Sequence, residues 1–203
     1  MKTFFKAAVL IMCLFLFTEG YSLTGEDALR NFQGRMNNIG TMSGQISWVY
    51  TSGTMYTGSF KYMAPGRIYV KFSTPSGRVL VTNGKKLWVY DSQSNICGVQ
   101  DLGRGGSGGI AGLVEGYLPL LSAQGSGGYT IKLKSNERQY NEITLVLDGS
   151  YMLKKAVMQS RGGGEGLSIS LSNVRTGENM TVGTFDFNVP SNAQLVKNPL
   201  DVK

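Results

Sequence analysis

The stretch from Met63 to Asp101 constrains this chain most. It carries three turn signals, Pro65-Gly66, Pro75-Ser76-Gly77 and Asn83-Gly84, separated by short runs rich in Val, Ile, Leu, Phe, Tyr and Trp. Asn-Gly between such runs is a strong hairpin signal, because both central residues of a type I′ turn take positive φ. Within the runs the period is two: Ile68, Val70 and Phe72 fall on one face, Arg67, Tyr69, Lys71 and Ser73 on the other. A sheet patterned this way is wetted on one side and covered on the other. The stretch therefore reads as a β-meander that needs a cover.

One clear amphipathic helix precedes it. Thr24 suits an N-cap, Glu26 and Asp27 suit the positive end of the helix dipole, Ala28, Leu29, Phe32 and Met36 form a stripe at helical spacing, and Gly40 is a suitable stop. From Thr41 the period switches to two, with Met42, Ile46, Trp48 and Tyr50 on one face, then Tyr56, Phe60 and Tyr62, and later Leu87 and Val89 against Trp88 and Tyr90. Residues 102–109 are a glycine-rich connector without the lysine and hydroxyl residue of a phosphate loop. Ile110 to Ser122 is apolar, contains Pro119 and is expected to form one or two short helical turns. Alternation resumes over 129–134, 140–147, 151–158 and 167–171, with Asp148-Gly149 as a hairpin turn; 180–187 is expected as the last strand and 192–203 as a polar tail that folds back. The expected class is mainly β: one antiparallel sheet of about eleven strands, with the N-terminal helix and the short mid-chain helical segment on a single face. The pattern alone fits an incomplete barrel as well as a closed one.

Residues 1–22 have the form of a cleaved secretory signal peptide. Lys2 and Lys6 are followed by an apolar run and by small residues suited to cleavage after Ser22, which leaves 23–203 as one domain. A retained anchor, or lipidation at Cys13, fits less well, since Met12 stands where lipidation wants a small residue. The net charge of +7 is spread without any Lys/Arg run, which argues against nucleic acid. Cys97 would be alone in the mature chain, so no intramolecular disulfide forms. The chain has no histidine, which removes the Ser-His-Asp and Cys-His arrangements and most zinc sites. No pair of carboxylates has the spacing of a hydrolase site. No catalytic residue, metal ligand or cofactor is assigned, and the chain is not expected to be an enzyme.

Pro65-Gly66-Arg67-Ile68-Tyr69-Val70-Lys71-Phe72 followed by Pro75, then Asn83-Gly84-Lys85-Lys86-Leu87-Trp88-Val89-Tyr90, resembles the core of the LolA family of periplasmic lipoprotein carriers; Phe185-Asp186-Phe187-Asn188-Val189-Pro190 resembles its terminal motif. The resemblance implies an unclosed half barrel of about eleven antiparallel strands, with the N-terminal helix and the short mid-chain helical segment covering a concave apolar face that binds lipoprotein acyl chains between the inner and outer membranes. It also implies a monomer in the periplasm, working with an inner-membrane ABC-type release complex and an outer-membrane acceptor. Lipid-binding or lipoprotein-sensing relatives of the LppX and RseB types, or a structural exported β-domain, are the alternatives. The implied cavity contacts are Phe32, Met36, Met42, Ile46, Trp48, Tyr56, Phe60, Tyr62, Ile68, Val70, Phe72, Leu87, Val89, Leu113 and Leu118. Any one of these would also be apolar in an ordinary helix-covered sheet. One position departs from the family: Ala64 stands before the motif proline, where the carriers have an arginine thought to hold the helical lid shut, and Arg67 falls on the face opposite Ile68.

Overall fold

The computed structural model describes residues 23–102, 114–138 and 140–197; the expected leader, most of the glycine-rich connector and Leu113 lie outside them. The helix, α1, spans Gly25–Asn38. Thr24 and Asp27 form a reciprocal capping box, and Ala28, Leu29, Phe32 and Met36 are its buried stripe. The chain leaves the helix through Gly40 at φ 69°.

Twelve strands follow: β1 (Thr41–Tyr50), β2 (Met55–Met63), β3 (Arg67–Thr74), β4 (Ser76–Asn83), β5 (Lys86–Asp91), β6 (Ile96–Asp101), β7 (Leu118–Gly125), β8 (Gly128–Lys134), β9 (Tyr140–Leu147), β10 (Leu153–Ser160), β11 (Leu167–Thr176) and β12 (Gln194–Lys197). They make one open sheet in the order β12-β6-β5-β4-β3-β2-β1-β11-β10-β9-β8-β7. Two meanders, β1 to β6 and β7 to β11, are joined through the antiparallel β1–β11 pair. The ends do not meet, so the barrel is unclosed.

Register fixes which residues face inward. Ile46 lies opposite Leu171 and Gly58, Phe60 opposite Val70, and Val70 opposite Leu80. On the other half Ile169 lies opposite Ala156, Ala156 opposite Leu145, and Leu145 opposite Ile131. An apolar inner face thus runs unbroken from β8 across β1 to β4. α1 packs over it on β7 and β8.

The inner face curves where the ladder slips. Shifts occur in β1 between Ser43 and Gln45 and in β2 between Thr57 and Gly58. A glycine marks each. A Cβ on Gly44 would lie 2.8 Å from the Ser172 carbonyl oxygen, and one on Gly58 would lie 2.2 Å from that of Lys71. The extra residue of each slip lies in the neighbouring strand, Ser73 in β3 and one of Asn173 and Val174 in β11, and the side-chain-free glycine lets the backbones approach there.

Three expectations are corrected and a fourth is extended. The mid-chain segment is not helical where it is described: residues 114–116 form a turn and Leu118–Gly125 is strand β7. As an edge strand paired only with β8, it tolerates Pro119, which lacks a ladder donor. Residues 180–187 hold a 3₁₀ turn, Val182–Phe185, which packs on the outside of β3 and β4 and buries Phe185 completely. The tail does fold back, and supplies a twelfth strand, β12, parallel to β6. The Asn83-Gly84 connection is not a type I′ turn. Only Gly84 has positive φ, and the Asn83 carboxamide oxygen accepts from the Lys85 and Lys86 amides in a wider, side-chain-closed loop.

The close approach at Gly58 gives a test of opposite signs. Gly58→Ala should cost about 1–3 kcal/mol in urea unfolding, because the added methyl meets backbone. Gly34→Ala, on α1, where a Cβ meets nothing within 4 Å, should gain about 0.5–1 kcal/mol from the lost backbone freedom of glycine. Equal stabilities for Gly58→Ala and the parent would show that the bend does not depend on that position.

Candidate functional site

Between α1, the 114–116 turn and the inner face lies a cavity of about 270 Å³ with an almost wholly apolar wall. Of the residues expected from sequence, Phe32, Met42, Ile46, Trp48, Phe60, Tyr62, Ile68 and Val70 line it. The hydroxyl in its wall is engaged: Tyr62 donates to the Met36 carbonyl oxygen at 3.3 Å, and burial pushes the phenol above its ordinary pKa.

The remaining expected residues lie elsewhere. Met36 is fully buried in the core beneath α1 and does not reach the cavity. Leu87 is on the inner face but lies opposite Thr82 and Gln100, away from the cavity wall. Leu118 is corrected outright. In strand β7 it lies opposite Lys134 on the outer face and is 74% exposed, while its neighbours Pro119 and Leu121 face inward against Leu133 and Ile131. A strand places consecutive residues on opposite faces, so the helical reading of this segment misassigned it. Leu113 lies outside the described residues.

Tyr56, Phe72 and Val89 line a second hollow, of about 290 Å³, at the strand ends next to the first. Trp48 and Leu80 belong to both walls. Here the rings touch: Trp48 lies 6.1 Å from Phe72, Tyr56 5.5 Å from Phe72, and Tyr50 6.2 Å from Tyr56, measured between centroids. At its end Arg78 donates through Nε to Asp91 Oδ2 at 2.9 Å and through Nη1 to the Tyr56 hydroxyl, with Cζ 5.2 Å from the Tyr56 centroid. Asp91 Oδ1 accepts from the Gln93 amide at 2.9 Å; that bond, together with Arg78, holds the carboxyl below its ordinary pKa despite partial desolvation.

Sequence reasoning missed about half of the cavity wall. Ile143, Leu145, Ile169 and Leu171 stand in runs whose alternation was legible, yet nothing local links them to the first meander; the β1–β11 pair does so. Leu80 sits in an unbroken Val-Leu-Val run whose inward face alternation cannot choose. Leu153, Ala156 and Met158 stand in the 151–158 run, where the register slip between Leu153 and Lys155 changes the residue parity that faces inward, and Val114 carried no distinguishing signal. Ala64, where the resemblance implies an arginine, packs partly buried against the core. Arg67 lies on the outer face, opposite Asn83. The helix is instead tied to the sheet by the Tyr62–Met36 bond.

Comparison with known proteins places this geometry. The family model for outer membrane lipoprotein carrier protein LolA matches residues 38–188. The outer-membrane lipoprotein carrier protein of Legionella pneumophila (strain Lens) is 24% identical over 201 residues, 93% of this chain and 97% of that protein. Its counterpart in Methylococcus capsulatus (strain ATCC 33009 / NCIMB 11132 / Bath) is 28% identical over 151 residues, 70% of this chain and 71% of that one. An uncharacterized conserved protein from Thermus thermophilus has a similar fold, with a TM-score of 0.58 at 14% identity over 85% of this chain and 98% of its own.

The Tyr62 bond can be tested by pH. A phenol raised above 10.0 by burial contributes stability fully present below that value and lost as pH rises through the folded-state pKa. Tyr62→Phe should cost about 1 kcal/mol at neutral pH. It should also shrink the alkaline fall in stability, leaving a remainder because burial raises Tyr50 and Tyr117 too. An alkaline unfolding profile unchanged by Tyr62→Phe would remove this role.

Proposed function

The chain belongs to the LolA family of outer membrane lipoprotein carrier proteins, and on that premise we propose that it carries lipoproteins across the periplasm, from inner to outer membrane, by housing their acyl chains in the apolar cavity. In this reading residues 1–22 direct export and are removed. The donor is an inner-membrane ABC-type complex, an outer-membrane acceptor receives the cargo, and the carrier works as a monomer without chemistry of its own.

The observation that carries the reading is the cavity itself. Phe32 and Val114 stand over it, and among the described residues no charged side chain lines it. An apolar cavity of about 150 Å³ already stays dry and takes up a small hydrocarbon; this one is larger. Burying one methylene is worth about 0.8 kcal/mol, so an acyl chain of about sixteen carbons gains on the order of 10 kcal/mol at full burial. A hand-over is then feasible only if the next acceptor offers comparable burial, which suits a shuttle between partners. An adaptable wall helps with varied chains, and Met42 and Met158 supply flexible thioethers there. A purely structural β-domain has no use for such an unfilled space.

Two variants separate the readings. Val70→Glu places a carboxylate in the wall at a position 3% exposed, and Ala156→Trp fills the space without charge. Both should abolish uptake of a fluorescent palmitoyl probe by the delipidated protein and its release of acylated protein from inner-membrane vesicles, while Ala156→Trp keeps the parent circular dichroism spectrum. Undiminished uptake by both variants would refute acyl binding at this cavity.

A further inference from the structure

The two hollows differ in chemistry although they share Trp48 and Leu80. Among the described residues, the cavity wall is almost wholly hydrocarbon and rings. The aromatic basin ends in Arg78 and Asp91, which face each other across β4 and β5. This pair sits on the inner side of the sheet: Leu80, two residues along from Arg78, lies opposite Val70 and Val89 on that face. With side chains 36% and 24% exposed, it is too wet to contribute much to folding. It is nevertheless held with care, by Tyr56 on one side and the Gln93 amide on the other.

Resting on the acyl-binding reading above, we propose that the aromatic basin is a second subsite for the polar end of the bound amphiphile: the neutral, ester-, amide- or hydroxyl-bearing linker from which the acyl chains hang. In this arrangement the chain passes Trp48 and Leu80 into the cavity, a guanidinium N–H of Arg78 donates to a linker carbonyl, and Asp91 accepts from a linker hydroxyl or amide. The pairing selects a neutral group. Arg78 alone would favour an anion, but the ionised Asp91 at 2.9 Å cancels its charge and repels a second carboxylate. Arg78 spends Nε on Asp91 and one Nη1 hydrogen on Tyr56, and its planar fork carries five donors in all. Tyr50, Tyr56 and Phe72 offer ring faces and edges that suit the less polar parts of such a linker. The basin thereby sets the direction in which a cargo lies, polar end toward the open ends of β1 to β5 and chain ends toward α1.

The test is displacement of a fluorescent apolar dye from the delipidated protein by three probes of one chain length: 1-monopalmitoylglycerol, palmitate and hexadecane delivered from cyclodextrin. The parent should rank monopalmitoylglycerol above palmitate. Arg78→Gln should weaken monopalmitoylglycerol about tenfold, the worth of a hydrogen bond to a charged donor, and leave hexadecane unchanged; Arg78→Lys should recover part of the loss. Asp91→Asn, which keeps the shape, should reverse the order in favour of palmitate. Equal weakening of monopalmitoylglycerol and hexadecane by Arg78→Gln would make the pair a mere wall and overturn the subsite. A parent preference for palmitate that Asp91→Asn does not alter would overturn its neutrality. Failure of the parent to take up any probe, hexadecane included, would sink the acyl-binding reading and the subsite together, whereas hexadecane uptake without discrimination sinks the subsite alone.

Discussion

The structure depends on a shortfall of cover. A 14-residue helix is about 21 Å long at about 1.5 Å per residue, whereas twelve strands at about 4.8 Å spacing reach about 53 Å along the curve of the sheet. The inner face is apolar over most of that span, so α1 cannot shield it alone. Curvature makes up part of the difference by bringing β9–β11 opposite β2–β4, so that Ile143, Leu145 and Ile169 share a cavity with Phe60, Val70 and Leu80. What neither the helix nor the curvature covers stays as hollow space.

Why the hollow is not filled by larger side chains follows from where the bends are. Gly44 and Gly58 stand on the inner face beside Phe60, Ile46 and Phe72, at two of the register slips in the sheet. Their backbones approach neighbouring strands too closely for any Cβ. The residues that make the trough curve are therefore the ones that cannot help to fill it. The outer face solves its burial differently, with the 3₁₀ turn of residues 182–185 folded over β3 and β4 and β12 pairing along β6. Phe185, Val81 and Cys97 are buried there, apart from the main core.

Much of this was legible in the sequence wherever one residue class decides one physical outcome. The stripe of Ala28, Leu29, Phe32 and Met36 could only be a helix face, and Ile68, Val70 and Phe72 could only share a sheet face. Sequence failed where pairing overrides local preference. Pro119 reads as a breaker, yet an edge strand has a free side that needs no donor from it. Residues 182–185 carry apolar side chains without alternation, and their docking on β3 and β4 settles them as a turn. The far half of the cavity wall was out of reach for a further reason: its strands meet the first meander only through β1 and β11, a contact between residues more than a hundred positions apart.

The same geometry bears on how tightly a carrier of this build holds its cargo. A space of about 270 Å³ falls below the pockets of about 300–1,000 Å³ that enclose drug-sized ligands. On the acyl-binding reading, a long chain would not vanish into this cavity as it stands: part of it would lie in the adjoining basin, or α1 and the turn bearing Val114 would yield. Either way the gain per methylene would be realised only in part, which would moderate an affinity that full burial would make prohibitive for release. Phe32 and Val114, the two lining residues outside the sheet among the described residues, are then the natural points of give, because moving them breaks no strand pairing. The hold of Phe32 on the sheet rests on apolar contact and the Tyr62–Met36 bond, and the turn bearing Val114 is tied by Arg138, which donates to the Glu115 carbonyl oxygen at 3.2 Å.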